Sequence, residues 1–306
     1  MRSFILLTLL ISTVTAIGDL AFNLGVEATD GSCKTAADYK QDFASLSPYS
    51  KIVRFYSAST CNTLSVLGPA AEDAGFEYFI GIWPTDSSHF AAEKSALTNE
   101  LPNLSVSSVK GITVGSEALY RNDLSPSALA SAITEIKDLI KDIKDKDGNS
   151  YSSVPVGTVD SWNIMVDGSS EPVIQAADMV FVNAFSYWQG QTMANSSYSF
   201  IDDIMQALQV IQTTKGTTDL TFWVGETGWA TQGSAYESAT PNTSNAAQYW
   251  QDAVCGIRAW GINVISFEAF DESWKPDTSG TNDVEKYWGV FDSSRNLKYK
   301  LTCDFD

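Results

Sequence analysis

Two runs in this chain place carboxylates where packing alone would not. GITVGSEALYR carries an apolar, β-branched stretch into Glu117, and FWVGETGWA carries another into Glu226. Each Glu follows a glycine closely and opens a polar or aromatic loop. A strand that ends in a carboxylate packs poorly. Two such strands, brought together by a fold, make a pair of opposed carboxylates. That pair suits glycoside cleavage with retention of configuration, one group serving as acid and base and the other as nucleophile, about 5 Å apart.

Other chemistries find little support. His89 is the single histidine and no GxSxG run occurs, which argues against a Ser-His-Asp triad. There is no CxxC to hold a metal and no GxGxxG or GxxxxGK[ST] loop to cradle a phosphate, so neither metal nor cofactor is expected. A formal net charge of −18 opposes nucleic-acid binding, which needs a dense basic surface, and suits a neutral substrate.

The elements that must position the two Glu alternate along the chain. Strand-like runs are Leu20–Val26, Lys51–Tyr56, Tyr78–Trp83, Gly111–Gly115, Val154–Val159, Met179–Ala184, Leu220–Gly225 and Asn263–Glu268. Nearly all their residues are apolar, as in a parallel sheet covered on both faces. Each gap can hold a helix. The clearest follows Ser125-Pro126, a cap and first-turn pair, with Leu129, Ile133, Ile136, Ile140 and Ile143 on one face. The next turn, KDKDGNS, has apolar Ile143 where a calcium loop needs its first ligand, and reads as a solvated loop. Eight strands with helical crossovers predict a single α/β domain, a (β/α)8 TIM barrel, with an open doubly wound sheet as the alternative. In a barrel, Glu117 ends strand four and Glu226 ends strand seven, at the catalytic face and across its mouth.

The N-terminus, MRSFILLTLLISTVTA, reads as a signal peptide over residues 1–16: one Arg, a short apolar run, then Val14 and Ala16 at cleavage spacing. The catalytic domain would then span residues 17–306. No run is long enough to span a bilayer, and the acidic KLTCDFD end is no lipid-anchor signal, so no membrane anchor is expected. The expectation is a secreted, extracellular monomer. Four cysteines in an exported chain favour two disulfides. Cys33 and Cys61 follow two successive strands and should meet on one rim; Cys255, in a late helix, would then pin Cys303 in the tail. Sequons at Asn103, Asn195 and Asn242 fall in polar stretches between predicted elements and are glycosylation candidates.

Nine tryptophans are many for this length. Trp83, Trp162, Trp188, Trp229 and Trp274 follow strand ends and could line a groove where flat sugar faces stack; Trp250 and Trp260 read as core.

VGSEALYR, VGETGWA, FEAFDESWK and EKYWGVFD, in this order, resemble glycoside hydrolase family 17, the β-1,3-glucanases and β-1,3-glucanosyltransferases. The likeness runs over essentially the whole mature chain, and FNLGVEATDGSCKT resembles the fungal cell-wall branch. The resemblance implies β-1,3-glucan polysaccharide as the partner, a cell-wall location, Glu117 as acid/base and Glu226 as nucleophile. Ser116 stands where most of the wider clan has an Asn contacting the sugar 2-hydroxyl, so that contact would come through water or another residue. Tyr187, in NAFSYW, matches a tyrosine that would hold the nucleophile by a hydrogen bond. Glu272 and Lys275, in FDESWK, match a pair accompanying the catalytic groups, and Arg54 and Tyr56, in IVRFYS, would support the floor. Trp229 and Trp274 are the acceptor-side candidates for transfer to glucan in place of hydrolysis. A non-catalytic glucan-binding wall protein, or the same chemistry on another β-glucan linkage, are the other readings.

Overall fold

The structure, a computed structural model, describes residues 16–276 and 283–306. Residues 1–15 of the expected signal segment, 1–16, lie outside the described residues. Eight parallel strands close into a barrel in sequence order: β1 Leu20–Asn23, β2 Ile52–Phe55, β3 Glu77–Ile82, β4 Val109–Ser116, β5 Val156–Ser161, β6 Met179–Asn183, β7 Thr221–Thr227 and β8 Asn263–Ser266. β1 pairs with both β2 and β8, which closes the ring and excludes the open sheet.

Side chains alternate along each strand between the two faces. On β6, Met179 and Phe181 join Ala21, Ile52, Phe79, Val159, Trp223 and Ile265 in one buried cluster inside the barrel, while Val180 and Val182 belong to the larger cluster beneath the helices. This filled interior makes the barrel a floor and not a pore. The space for chemistry lies above it, at the strand ends.

The helix after β4 forms as the sequence predicts. It spans Pro126–Ile140; the Ser125 hydroxyl caps it by accepting from the Ala128 N–H, and Leu129, Ile133, Ile136 and Ile140 are buried. Ile143 lies beyond its end. KDKDGNS is not a simple solvated loop: Asp145 is buried and accepts from the backbone N–H groups of Val106, Asp147 and Asn149. Helices cross from each strand to the next up to β8. Among the described residues, only the short 3₁₀ turn Val284–Lys286 follows β8. Both expected disulfides are present, Cys33–Cys61 and Cys255–Cys303. Cys255 closes a π-helical segment, Trp250–Cys255, whose Trp250 indole donates to the Leu301 carbonyl at 2.7 Å, so the tail is pinned twice. No helix among the described residues is long and apolar enough to cross a membrane.

Candidate active site

A cleft of about 1130 Å³ opens at the C-terminal ends of the strands, and both Glu117 and Glu226 line it. Glu226 sits one residue before the end of β7 and is almost fully buried. Arg54, wholly buried on β2, reaches it: one guanidinium nitrogen, Nη1, donates to Glu226 Oε1 and to Asn23 Oδ1, each at 3.0 Å. The other, Nη2, donates to Ser116 Oγ at 3.3 Å. Burial pushes the Glu226 carboxyl up to about 7; Arg54 opposes this and the nearby charge of Glu117 adds to it. The Tyr56 hydroxyl, buried beside Glu226, also favours its charged form without reaching full hydrogen-bond geometry.

Glu117 follows directly on β4 and takes a left-handed backbone conformation, φ 55°. For a non-glycine residue this conformation costs about 1 kcal/mol or more and persists only where the surroundings impose it. Here Asp160, at the end of β5, imposes it by accepting from the N–H groups of Leu119 at 2.8 Å and Tyr120 at 3.2 Å. Glu117 Oε1 accepts from the Asn183 amide at 3.0 Å, and Arg121 lies 3.5 Å from Oε2. Asn183 pairs in register with Glu226, so a single side chain bridges the strand carrying one carboxylate and the position of the other. Gly225 makes this possible, because a Cβ there would stand 2.7 Å from Asn183 Oδ1.

A second carboxylate pair closes the cleft on the β8 side. Lys275 Nζ donates to both oxygens of Glu268 at 3.1 Å and pairs with Glu272 Oε2 at 2.7 Å. Burial, and the neighbouring Glu272, push Glu268 well above the usual carboxylate range. Burial works against the charge on Lys275, but the two carboxylates outweigh it and keep Lys275 protonated. Gly25 leaves room for the group; a Cβ there would fall 1.6 Å from Glu272 Oε1.

Of the residues expected at the site, Arg54, Tyr56, Ser116, Glu272 and Lys275 gather with the two Glu. Tyr187 does not hold Glu226: its hydroxyl donates to the Ser234 carbonyl at 3.3 Å and its ring packs edge-on to Trp188, Trp229 and Trp288. Tyr56 is the phenol beside Glu226 instead. Trp229 is not a rim residue either. It is 2 % exposed, with its indole N–H on the Thr240 carbonyl, and belongs to the core. Trp83, Trp162, Trp188 and Trp274 do line the cleft. Trp250 is core, whereas Trp260, expected there, is 60 % exposed.

Asn195 falls in the first turn of the helix Met193–Lys215 and not between elements. Asn242 caps the helix Thr243–Tyr249 through the Asn245 N–H, and Asn103 lies exposed in a 3₁₀ turn. Residues that the sequence reading did not single out are Asn23, Asn183, Glu268, Asp160 and Arg121. Asn183 and Glu268 each end an apolar run with a polar group, the signal that exposed Glu117 and Glu226.

The sequence model for Glycosyl hydrolases family 17 matches residues 20–303. The chain belongs to this family. It is 62 % identical to a glucan 1,3-beta-glucosidase of Saccharomyces cerevisiae over 96 % of this chain and 94 % of that protein. Among solved structures, it resembles the family 17 beta-1,3-glucanosyltransferase from Rhizomucor miehei, with 30 % identity, a TM-score of 0.79, and coverage of 92 % of this chain and 97 % of that one. An active-site mutant of that transferase in complex with laminaritriose superimposes similarly, with a TM-score of 0.78, 30 % identity, and coverage of 93 % of this chain and 98 % of that one. Family 17 membership agrees with the two strand-end Glu and the aromatic cleft.

Proposed function

We propose that this protein is a retaining enzyme of β-1,3-glucan, with Glu226 as nucleophile and Glu117 as acid/base. The observation that carries the reading is the placement of the two carboxylates. They end β4 and β7, open on one aromatic-walled cleft, and have opposite surroundings: Glu226 is deep and held by Arg54, Glu117 is shallower and held by donors at the rim.

In the first step a Glu226 oxygen forms a bond to the anomeric carbon. The bond from that carbon to the glycosidic oxygen breaks, and Glu117 gives its proton to the departing oxygen. In the second step the hydroxyl of an acceptor attacks the anomeric carbon and passes its proton to Glu117. The Glu226 ester breaks and the enzyme returns to its starting state. With water as acceptor the outcome is hydrolysis; with a hydroxyl of another glucan it is chain transfer. Trp162, which opens the short helix Trp162–Met165 directly after β5, and Trp188, in the turn after β6, border the cleft. A sugar stacked there is already oriented toward the ester, which supports transfer when glucan is abundant. Export is supported by the two disulfides and by the apolar N-terminal run.

Product analysis with a defined, end-labelled β-1,3-gluco-oligosaccharide tests the reading. Shortened and lengthened products of retained configuration are expected. Shortened products alone would remove the transfer claim, and no cleavage at all would remove the enzyme.

A further inference from the structure

Arg121 lies four residues after Glu117, and the structure fixes it from several directions. Its backbone N–H donates to the Glu117 carbonyl at 2.9 Å. Its guanidinium stacks on Trp83, 5.1 Å from the ring centroid, donates through Nη2 to the Ser116 carbonyl, and donates through Nε to Asp123 at 3.2 Å. The remaining nitrogen, Nη1, faces Glu117 Oε2 at 3.5 Å. Asp160 anchors the turn that carries both residues. A guanidinium tied to the end of β4, to an aromatic face and to a second carboxylate does not swing freely. It is a fixed charge beside one oxygen of Glu117, while the Asn183 amide serves the other oxygen.

We infer that Arg121 is a positioning residue that holds Glu117 in its ionised form for the second step, in which Glu117 must take the acceptor's proton. The inference rests on the assignment of Glu117 as acid/base. The charged groups acting on Glu117 from the packed elements are Arg121 on its own turn, Asp160 on β5, Glu226 on β7 and Glu285 on the 3₁₀ turn after β8. Before attack, the carboxylates of Asp160, Glu226 and Glu285 oppose the effect of the Arg121 guanidinium on Glu117. Once Glu226 is an ester, one of those negative charges is gone. Glu117, which has given its proton to the leaving oxygen, then faces Arg121 with one opposing charge fewer, and its carboxylate is held ready to take the acceptor's proton. A positive charge beside an acid stabilises its ionised form, so removing Arg121 favours the proton-bearing form at every stage.

The test uses Arg121→Met and Arg121→Lys in the full chain, with a dinitrophenyl β-laminaribioside and a β-1,3-gluco-oligosaccharide. The dinitrophenolate leaves without a proton, so kcat on that substrate reads the second step. For Arg121→Met, kcat on it should fall about tenfold, a modest part of what a general base contributes. Azide, which needs no base, should restore that turnover and give a glycosyl azide of retained configuration. The alkaline limb of kcat/KM on the oligosaccharide should move to higher pH, and Arg121→Lys should recover part of both effects. A loss that azide does not restore, an unmoved limb, or a limb moved to lower pH would overturn the inference. Glu117→Ala on the same substrates separates the two levels. If azide rescues Glu117→Ala but not Arg121→Met, only the role of Arg121 fails; if it does not rescue Glu117→Ala, the acid/base assignment fails and this inference with it.

Discussion

Arg54 and Glu226 stand on strands β2 and β7 and meet beneath the cleft through a 3.0 Å hydrogen-bonded ion pair in which both groups are nearly out of reach of water. Breaking such a pair costs more than the pair itself contributes, because the survivor is left charged without a partner. The same nitrogen that serves Glu226 also serves Asn23, and the guanidinium holds Ser116 as well. One side chain therefore ties the strand of Glu226 to β1, β2 and the end of β4.

Arg54→Met leaves Glu226 buried without a cation. At pH 8, where Glu226 of the parent is charged, the variant must either bury that charge unpaired or take up a proton, and should be less stable than the parent by about 3–5 kcal/mol. Arg54→Met with Glu226→Gln should recover most of that loss, since no lone charge remains. Urea unfolding at pH 8 checks this. A double variant no more stable than the single one would show that Arg54 matters for shape and not for charge.

Tyr56→Phe should narrow the pH range of activity from the acid side. As the proposed nucleophile Glu226 must be ionised, and burial already pushes its carboxyl up to about 7, with Arg54 and the Tyr56 hydroxyl working against that rise. Removing the hydroxyl raises it further, so the acid limb of kcat/KM moves to higher pH. The pH profile of the variant measures it; a limb that stays in place or moves down would exclude Tyr56 as a support of the nucleophile.

The protein should be more stable in mild acid than at pH 8. Burial, the main cause in each case, raises Glu226 to about 7 and Asp160 and Asp203 to about 6. Their unfolded counterparts release protons near 4. Between roughly pH 4 and 7 the folded state thus binds more protons than the unfolded one. The stability these groups contribute is complete below that window and is lost as pH rises through it. The net charge of −18 adds repulsion in the same direction. Melting temperatures at pH 5 and pH 8 decide the matter; a higher value at pH 8 would contradict it.

Trp162 and Trp229 should respond differently to truncation. Trp162→Ala removes a cleft wall and should lower the ratio of transfer to hydrolysis more than it lowers donor cleavage. Trp229→Ala empties a core position and should cost about 3–5 kcal/mol of stability. Product ratios and urea midpoints on both variants test this. Equal effects on transfer would mean that the rim has no acceptor role.

The barrel was legible because strands buried on both faces must be apolar throughout, and all eight runs met that demand. Glu117 and Glu226 stood out because nothing about packing explains a carboxylate at the end of such a run. What was not legible depended on direction. A tryptophan after a strand end reads alike whether it turns toward the cleft, as Trp274 does, or into the core, as Trp229 does. Tyr56 and Tyr187 are both phenols beyond strand ends, and only the turn after β6, which sends Tyr187 toward Ser234, separates them. Asn183 on β6 and Asp160 on β5 act through hydrogen bonds to the segment after β4, which no local pattern records.

The central claim is that Glu226 forms the covalent bond to the sugar. A 2-deoxy-2-fluoro laminaribiosyl fluoride should form the ester quickly and release it slowly, because fluorine beside the anomeric carbon slows both steps and the fluoride leaving group spares the first. Peptide mapping of the inactivated protein should then find the added disaccharide on the peptide containing Glu226, with the label lost on reactivation by added glucan. A label on Glu117 or Glu268, or inactivation without any covalent adduct, would contradict the account.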